Sequence, residues 1–87
     1  MGELAQLPNI GPEVERQLVK AGIHDAAALR AAGSREAWLR IQQNDPSACI
    51  HRLLALEGAV RGVRKASLPD EVKDELRAFY AAHKHKG

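Results

Sequence analysis

An all-α fold of about five short helices is predicted for these 87 residues by composition, by spacing and by punctuation. Hydrophobic residues make up 45% of the chain, yet alanine supplies much of that share and Trp38, Phe79 and Tyr80 are the only aromatics. Such a composition suits helices that approach one another closely better than a β-sandwich. The apolar residues recur at three- and four-residue spacing, and glycine or proline falls between the resulting segments. At this length one domain is expected, with a single modest core that buries roughly 60–65% of the unfolded surface.

The first element is a tight turn feeding a helix. Within Leu7-Pro8-Asn9-Ile10-Gly11-Pro12, Pro8 fixes φ, Asn9 and Gly11 tolerate the left-handed region, and Pro12 suits the first helical position. Residues 3–6 add at most a turn or two before it. In the helix that follows, Val14, Leu18 and Ala21 share a face, Ile10 staples the start and Gly22 caps the end. This is the outline of a helix-hairpin-helix element with a short first arm. After a brief link that buries Ile23, Asp25 caps a helix from Ala26 to Ala32, and Gly33 stops it. Ser34 caps the next, in which Ala37, Trp38 and Ile41 share a face until Asn44-Asp45-Pro46 breaks it.

From Ser47 to Arg61 the apolar stripe of Cys49, Ile50, Leu53, Leu54, Leu56 and Val60 is so broad that other helices should wrap this one. It is read as the central core helix, with Gly58 admitting a close neighbour and Gly62 ending it. Glu57 on this helix is expected to be partly buried and either paired with an arginine or capping another helix. A basic turn, Arg61-Gly62-Val63-Arg64-Lys65, leads into a last helix that begins around Ser67-Leu68-Pro69-Asp70-Glu71 and turns Val72, Leu76 and Phe79 inward. The domain is expected to span residues 1–82, with a frayed polar tail at 83–87.

Charge restricts the function only mildly. Thirteen basic residues face eleven acidic ones, for a formal net charge of +2. Arg35, Arg40, Arg52, Arg61, Arg64 and Lys65 outnumber Glu36, Asp45 and Glu57 over 34–65, whereas 70–75 carries four acids and one lysine. The lone Cys49 supports neither a disulfide framework nor a metal quartet, and no signal peptide or membrane span is seen, so a cytoplasmic location is expected.

Taken in order, these motifs resemble the C-terminal domain of the TfoX/Sxy family, bacterial regulators associated with natural competence and DNA transformation. The resemblance rests on Leu7-Pro8-Asn9-Ile10-Gly11-Pro12, on Ala21-Gly22-Ile23-His24 followed by Ala28-Leu29-Arg30 and Gly33, on Leu54-Ala55-Leu56-Glu57-Gly58-Ala59 with Gly62, and on Leu68-Pro69 followed by Lys73 and Glu75-Leu76. The hairpin with Gly22-Ile23 and Leu29 is more loosely similar to the C-terminal domain of bacterial RNA polymerase α subunits. The likeness implies a small helix-hairpin-helix or SAM-like orthogonal bundle acting in transcription regulation. Full-length members carry an N-terminal domain before this one, whereas here only a few residues precede the hairpin. Where the family has a tryptophan shortly before the last Leu-Pro, this chain has Arg64 and Lys65, which makes the loop more basic.

Two candidate contacts for nucleic acid emerge. One is the hairpin of Asn9, Ile10, Gly11 and Pro12, whose amides and following helix dipole suit a phosphate. Against it, Pro12 lacks an N–H and Glu13 and Glu15 bring negative charge to the first turn, so a compact packing turn is the alternative. The other is the basic set Arg61, Arg64 and Lys65 with Arg35 and Arg40, point charges that could meet a phosphate backbone without sequence readout. A solvated basic turn is its plain counterpart. Cys49 and His51 stand two positions apart on a helix and so face different ways, and no nucleotide loop, Ser-His-Asp order or metal-ligand spacing is present. The expectation is therefore a non-enzymatic module with no catalytic residue, metal, cofactor or small-molecule substrate, whose partner is DNA or a protein of the transcription machinery. The second reading is an adaptor that docks another polypeptide, or a second copy of itself, with no nucleic-acid role.

Overall fold

The computed structural model describes residues 3–84, all of them in helices, turns or irregular links. Its α-helices are α1 (Pro12–Lys20), α2 (Ala26–Asn44), α3 (Ile50–Arg61) and α4 (Asp70–His83), with 3-10 turns at Glu3–Gln6 and Lys65–Ser67. The expected hairpin therefore opens α1, with Pro12 at its first position.

Helix α1 ends in a Schellman motif. Gly22, at φ 90°, lets its own N–H reach the Val19 carbonyl at 3.0 Å and the Ile23 N–H reach Leu18 at 2.8 Å, which buries Ile23 against Leu18. Asp25 then caps α2 as expected, its side chain accepting from the Ala28 N–H at 2.7 Å. The break foreseen at Gly33 is a kink rather than an end. Gly33 adopts φ 81° and ψ 164°, a region essentially closed to residues with a Cβ, and helix resumes directly beyond it. The two helices predicted on either side are thus the two arms of α2. Ser34, foreseen as a cap for the second arm, is buried and its hydroxyl donates to Glu57 Oε1 on α3 at 2.5 Å.

The central helix starts three residues later than expected. The Asp45 carboxylate accepts from the Ser47 N–H at 3.0 Å and the Asp45 carbonyl from the Ala48 N–H at 3.0 Å, which holds 45–48 as a turn and leaves Cys49 as the helix cap. Beyond it α3 is the core element, with Leu53, Leu54, Ala55, Leu56, Gly58 and Ala59 buried between α2, α4 and the second 3-10 turn. Trp38 joins these layers. It is fully buried on α2, its indole N–H donates to the Cys49 carbonyl at 3.2 Å, and the rings of Phe79 and Tyr80 on α4 meet it edge to face at 6.1 and 5.6 Å. Tyr80 is half-buried by that contact.

Helix α4 continues through His83, whose ring stacks on Phe79 at 4.1 Å and whose carbonyl accepts from Gln42 Nε2 at 2.8 Å. The remainder of the expected tail, His85 to Gly87, lies outside the described residues.

Candidate functional site

The hairpin closes with the Ile10 N–H donating to the Leu7 carbonyl at 3.3 Å, Pro8 and Asn9 forming its two central positions. Asn9 takes φ 70°, the left-handed geometry this turn demands at its third residue. Gly11 does not use its freedom: it is extended at φ −92°, and a Cβ there would meet nothing within 4 Å. The reason is that Asn9 alone reverses the chain, so Gly11 has only to cap α1.

What the turn achieves is to aim the Asn9 side chain at a distant segment. Its Nδ2 donates to the Ala55 carbonyl at 3.3 Å and to the Val63 carbonyl at 3.0 Å, while its Oδ1 accepts from the Lys65 N–H at 3.1 Å. The opposite amide orientation would set Oδ1 against two carbonyls, so the network fixes which way the side chain points. Gly58 makes room for it. A second Schellman motif at Gly62, with φ 76° and the Val63 N–H on the Gly58 carbonyl at 2.9 Å, folds the basic turn back over that glycine. A Cβ on Gly58 would press on Asn9 Nδ2 and lie 2.6 Å from the Val63 carbonyl oxygen.

Hairpin and basic turn, 54 residues apart, are consequently one structure. Between them lies an open cleft of about 600 Å³ whose described lining is Gln6, Pro8, Asn9, Gly62, Val63 and Arg64, with no acid among these residues. Every residue from Arg61 to Ser67 is exposed.

The five basic candidates divide sharply by what already neutralises them. Arg61 donates from Nε to Glu57 at 2.5 Å, Arg40 to Glu36 at 2.9 Å, and Arg35 lies 4.0 Å from Glu75 and over the Phe79 ring. Arg64 and Lys65 have no acid within ion-pair distance among the described residues. Glu13 of the hairpin pairs with Arg16, and Glu15 is buried with its carboxylate accepting the Ala5 N–H at 3.2 Å, which ties the first 3-10 turn to α1. Glu15 is therefore committed inside the fold, whereas Glu13 stays at the surface with Arg16.

Glu57 is the partly buried charge foreseen on the core helix. Burial raises its pKa, but the Ser34 hydroxyl and the Arg61 guanidinium outweigh this and hold the carboxyl below its ordinary value of 4.5. Because the folded-state value is the depressed one, the stabilisation is complete above the unfolded pKa and is lost as pH falls through the folded value. Unfolding free energy followed from pH 7 downward should therefore fall less steeply below about pH 5 in Glu57→Gln than in the wild type. Asp45, whose carboxyl is also lowered by Ser47 and Arg52, keeps its share of the slope in both proteins.

A smaller hollow of about 200 Å³ separates α1 from the end of α2, among Glu13, Gln17, Lys20 and Asp45. Gln17 Nε2 donates there to Asp45 at 3.1 Å, and its Oε1 is buried without a partner. Among the described residues no cluster of metal-ligating side chains occurs and no helix is long and apolar enough to cross a membrane. Sequence reasoning assigned Asn9 only a backbone role and did not identify Gln6. The signals were an asparagine in a tight turn and a glycine within the most apolar helix, but nothing in the sequence paired them.

Comparison with known proteins agrees with this architecture. The profile of the TfoX C-terminal domain matches residues 1–80. Protein Sxy of Escherichia coli K12 is 38% identical over 73 residues, which cover 84% of this chain but only 35% of Sxy. The crystal structure of an uncharacterized protein from Listeria monocytogenes, in a triclinic form, superposes with a TM-score of 0.90 at 47% identity, covering 94% of this chain and 97% of that one. A tetragonal form of a Listeria monocytogenes protein gives 0.88 at 47% identity, over 90% and 96% of the two chains. The chain belongs to the TfoX C-terminal domain family, a competence-related regulatory family.

Proposed function

We propose that this domain is a non-enzymatic regulatory module that contacts the backbone of duplex DNA through the basic turn beside the hairpin. The observation that carries the reading is the pair Arg64 and Lys65, exposed, without an acid partner among the described residues, and set beside a cleft whose described lining holds no carboxylate. Cations already paired inside a fold must give up an interaction to meet a phosphate, whereas unpaired ones exchange only counterions. Arg61, Arg35 and Arg40 are accordingly secondary contributors. The phosphate-backbone mode also fits the aromatics, since Trp38 is buried and Phe79 and Tyr80 pack against it, leaving no platform on which bases could stack.

Fluorescence anisotropy with mixed-sequence duplex tests this. At ~50 mM salt and micromolar protein, binding that weakens steeply with salt is expected. Changing Arg64 and Lys65 together to alanine should reduce the log–log salt slope by about 2, close to one per cation removed. No binding by the wild type would refute direct DNA contact, and an unchanged slope in the double variant would move the contact elsewhere.

The near balance of charge, +2 overall, favours a second reading as an adaptor for another polypeptide, including a protein of the transcription machinery. That reading asks for an apolar docking face, yet Val19 and Val63 are the large hydrophobics that stand exposed among the described residues. Sedimentation velocity showing a defined dimer would support it over the first.

A further inference from the structure

We infer that Asn9 is a positioning residue for DNA binding, presenting Arg64 and Lys65 as one rigid pair without itself contacting the phosphates. The inference rests on the DNA reading above and adds the hairpin's part in it. A hairpin of this kind invites the expectation that its own amides hold the anion, yet these are poorly placed to do so. Pro12 has no N–H, the Ile10 N–H is bonded to Leu7, and Glu13 with its partner Arg16 stands in the first turn of α1.

The Asn9 side chain is committed as well. Both Nδ2 protons go to carbonyls, of Ala55 and Val63, and Oδ1 takes the Lys65 amide, so this side chain has no donor left for a phosphate. Each of these bonds ends on, or beside, the segment that carries the free cations. Residues 61–67 are all exposed; the Schellman closure at Gly62 and the Arg61–Glu57 pair hold the start of this segment and Lys73 Nζ meets the Ala66 carbonyl at 3.3 Å near its end, while at Val63 and Lys65, on either side of Arg64, the Asn9 side chain supplies the ties to the rest of the domain. Long flexible side chains on a mobile loop lose more freedom on binding than the same side chains on a fixed backbone. Asn9 therefore lowers the ordering cost of the contact, while the cations supply its charge.

Asn9→Gly isolates the side chain, because glycine accepts φ near 70° and the turn can persist. The experiment combines anisotropy with a mixed-sequence duplex and amide hydrogen exchange on the same protein, at a temperature where circular dichroism shows the variant folded. Faster exchange at the Lys65 amide is expected, together with about tenfold weaker DNA binding and an unchanged salt slope, since the same cations still reach the phosphates. A variant that were merely less stable would speed exchange across α3 as well as at Lys65, with folded protein binding as before. Three other results would overturn the inference. Wild-type affinity in a variant whose Lys65 amide has become labile would show that the clamp does not serve binding, while the DNA reading survives. A Lys65 amide as protected as before would show that Asn9 does not hold the turn. Absence of DNA binding by the wild type would remove both the reading and the role built on it.

Discussion

Gly58→Ala is expected to destabilise the domain by about 2–3 kcal/mol, against the usual gain when alanine replaces glycine inside a helix. Alanine at a mid-helix position is worth about 1 kcal/mol over glycine when nothing else changes. Here the added Cβ would lie 2.6 Å from the Val63 carbonyl oxygen and 3.2 Å from the Lys65 amide nitrogen, and would press on Asn9 Nδ2. Two of these neighbours are backbone, held by the Schellman motif and by Asn9 itself, so they have little freedom to withdraw. Relief requires Asn9 to leave, and each of its three bonds carries roughly 1 kcal/mol. Thermal unfolding should show a melting temperature lower by about 10–20 °C. A variant as stable as the wild type would mean that the hairpin and the basic turn are not pressed together at Gly58.

Trp38→Ala should cost more, about 3–5 kcal/mol, a large part of the stability that a domain of this size possesses. Trp38 is fully buried and links α2 both to the cap of α3, through the Cys49 carbonyl, and to α4, through Phe79 and Tyr80. Truncation leaves a cavity among packed helices, which cannot collapse fully into it. Trp38→Phe separates the contributions, because it keeps an aromatic against Phe79 and Tyr80 but deletes the N–H bond and part of the volume. Urea unfolding should place it between the other two proteins. A cost below about 1.5 kcal/mol for the alanine variant would mean that the core is organised around other residues.

The helical elements were legible because their signals are local. Asp25, Gly22 and Gly62 mark ends through side-chain or backbone chemistry within a few residues, and Pro12 and Asn44-Asp45-Pro46 bound α1 and α2 by removing donors and crowding the chain. Where local chemistry competes, boundaries moved. Asp45 captured the Ser47 amide and delayed α3, and Gly33 bent α2 where an end was foreseen, because helix could resume at once beyond a single residue of glycine-only geometry. The candidate site was legible in part. Arg64 and Lys65 stand out in the sequence, and the i,i+4 spacing of Glu57 and Arg61 is a local signal for their pair, but that Arg35 meets Glu75 depends on how α2 and α4 cross. The union of hairpin and basic turn was hidden for the same reason. Asn9 meets its partners 46 to 56 residues along the chain, and no periodicity records a contact of that span.

The face proposed to meet DNA is the cleft between hairpin and basic turn. Titrating ¹⁵N-labelled protein with a short mixed-sequence duplex at low salt, and following each backbone amide, tests it most directly. Shifts are expected to concentrate at Gln6, Asn9 and residues 61–65 and to reverse with added salt, with α1 beyond Glu13 unmoved. Shifts centred instead on α1 or the outer face of α4, or none at saturating duplex, would contradict it.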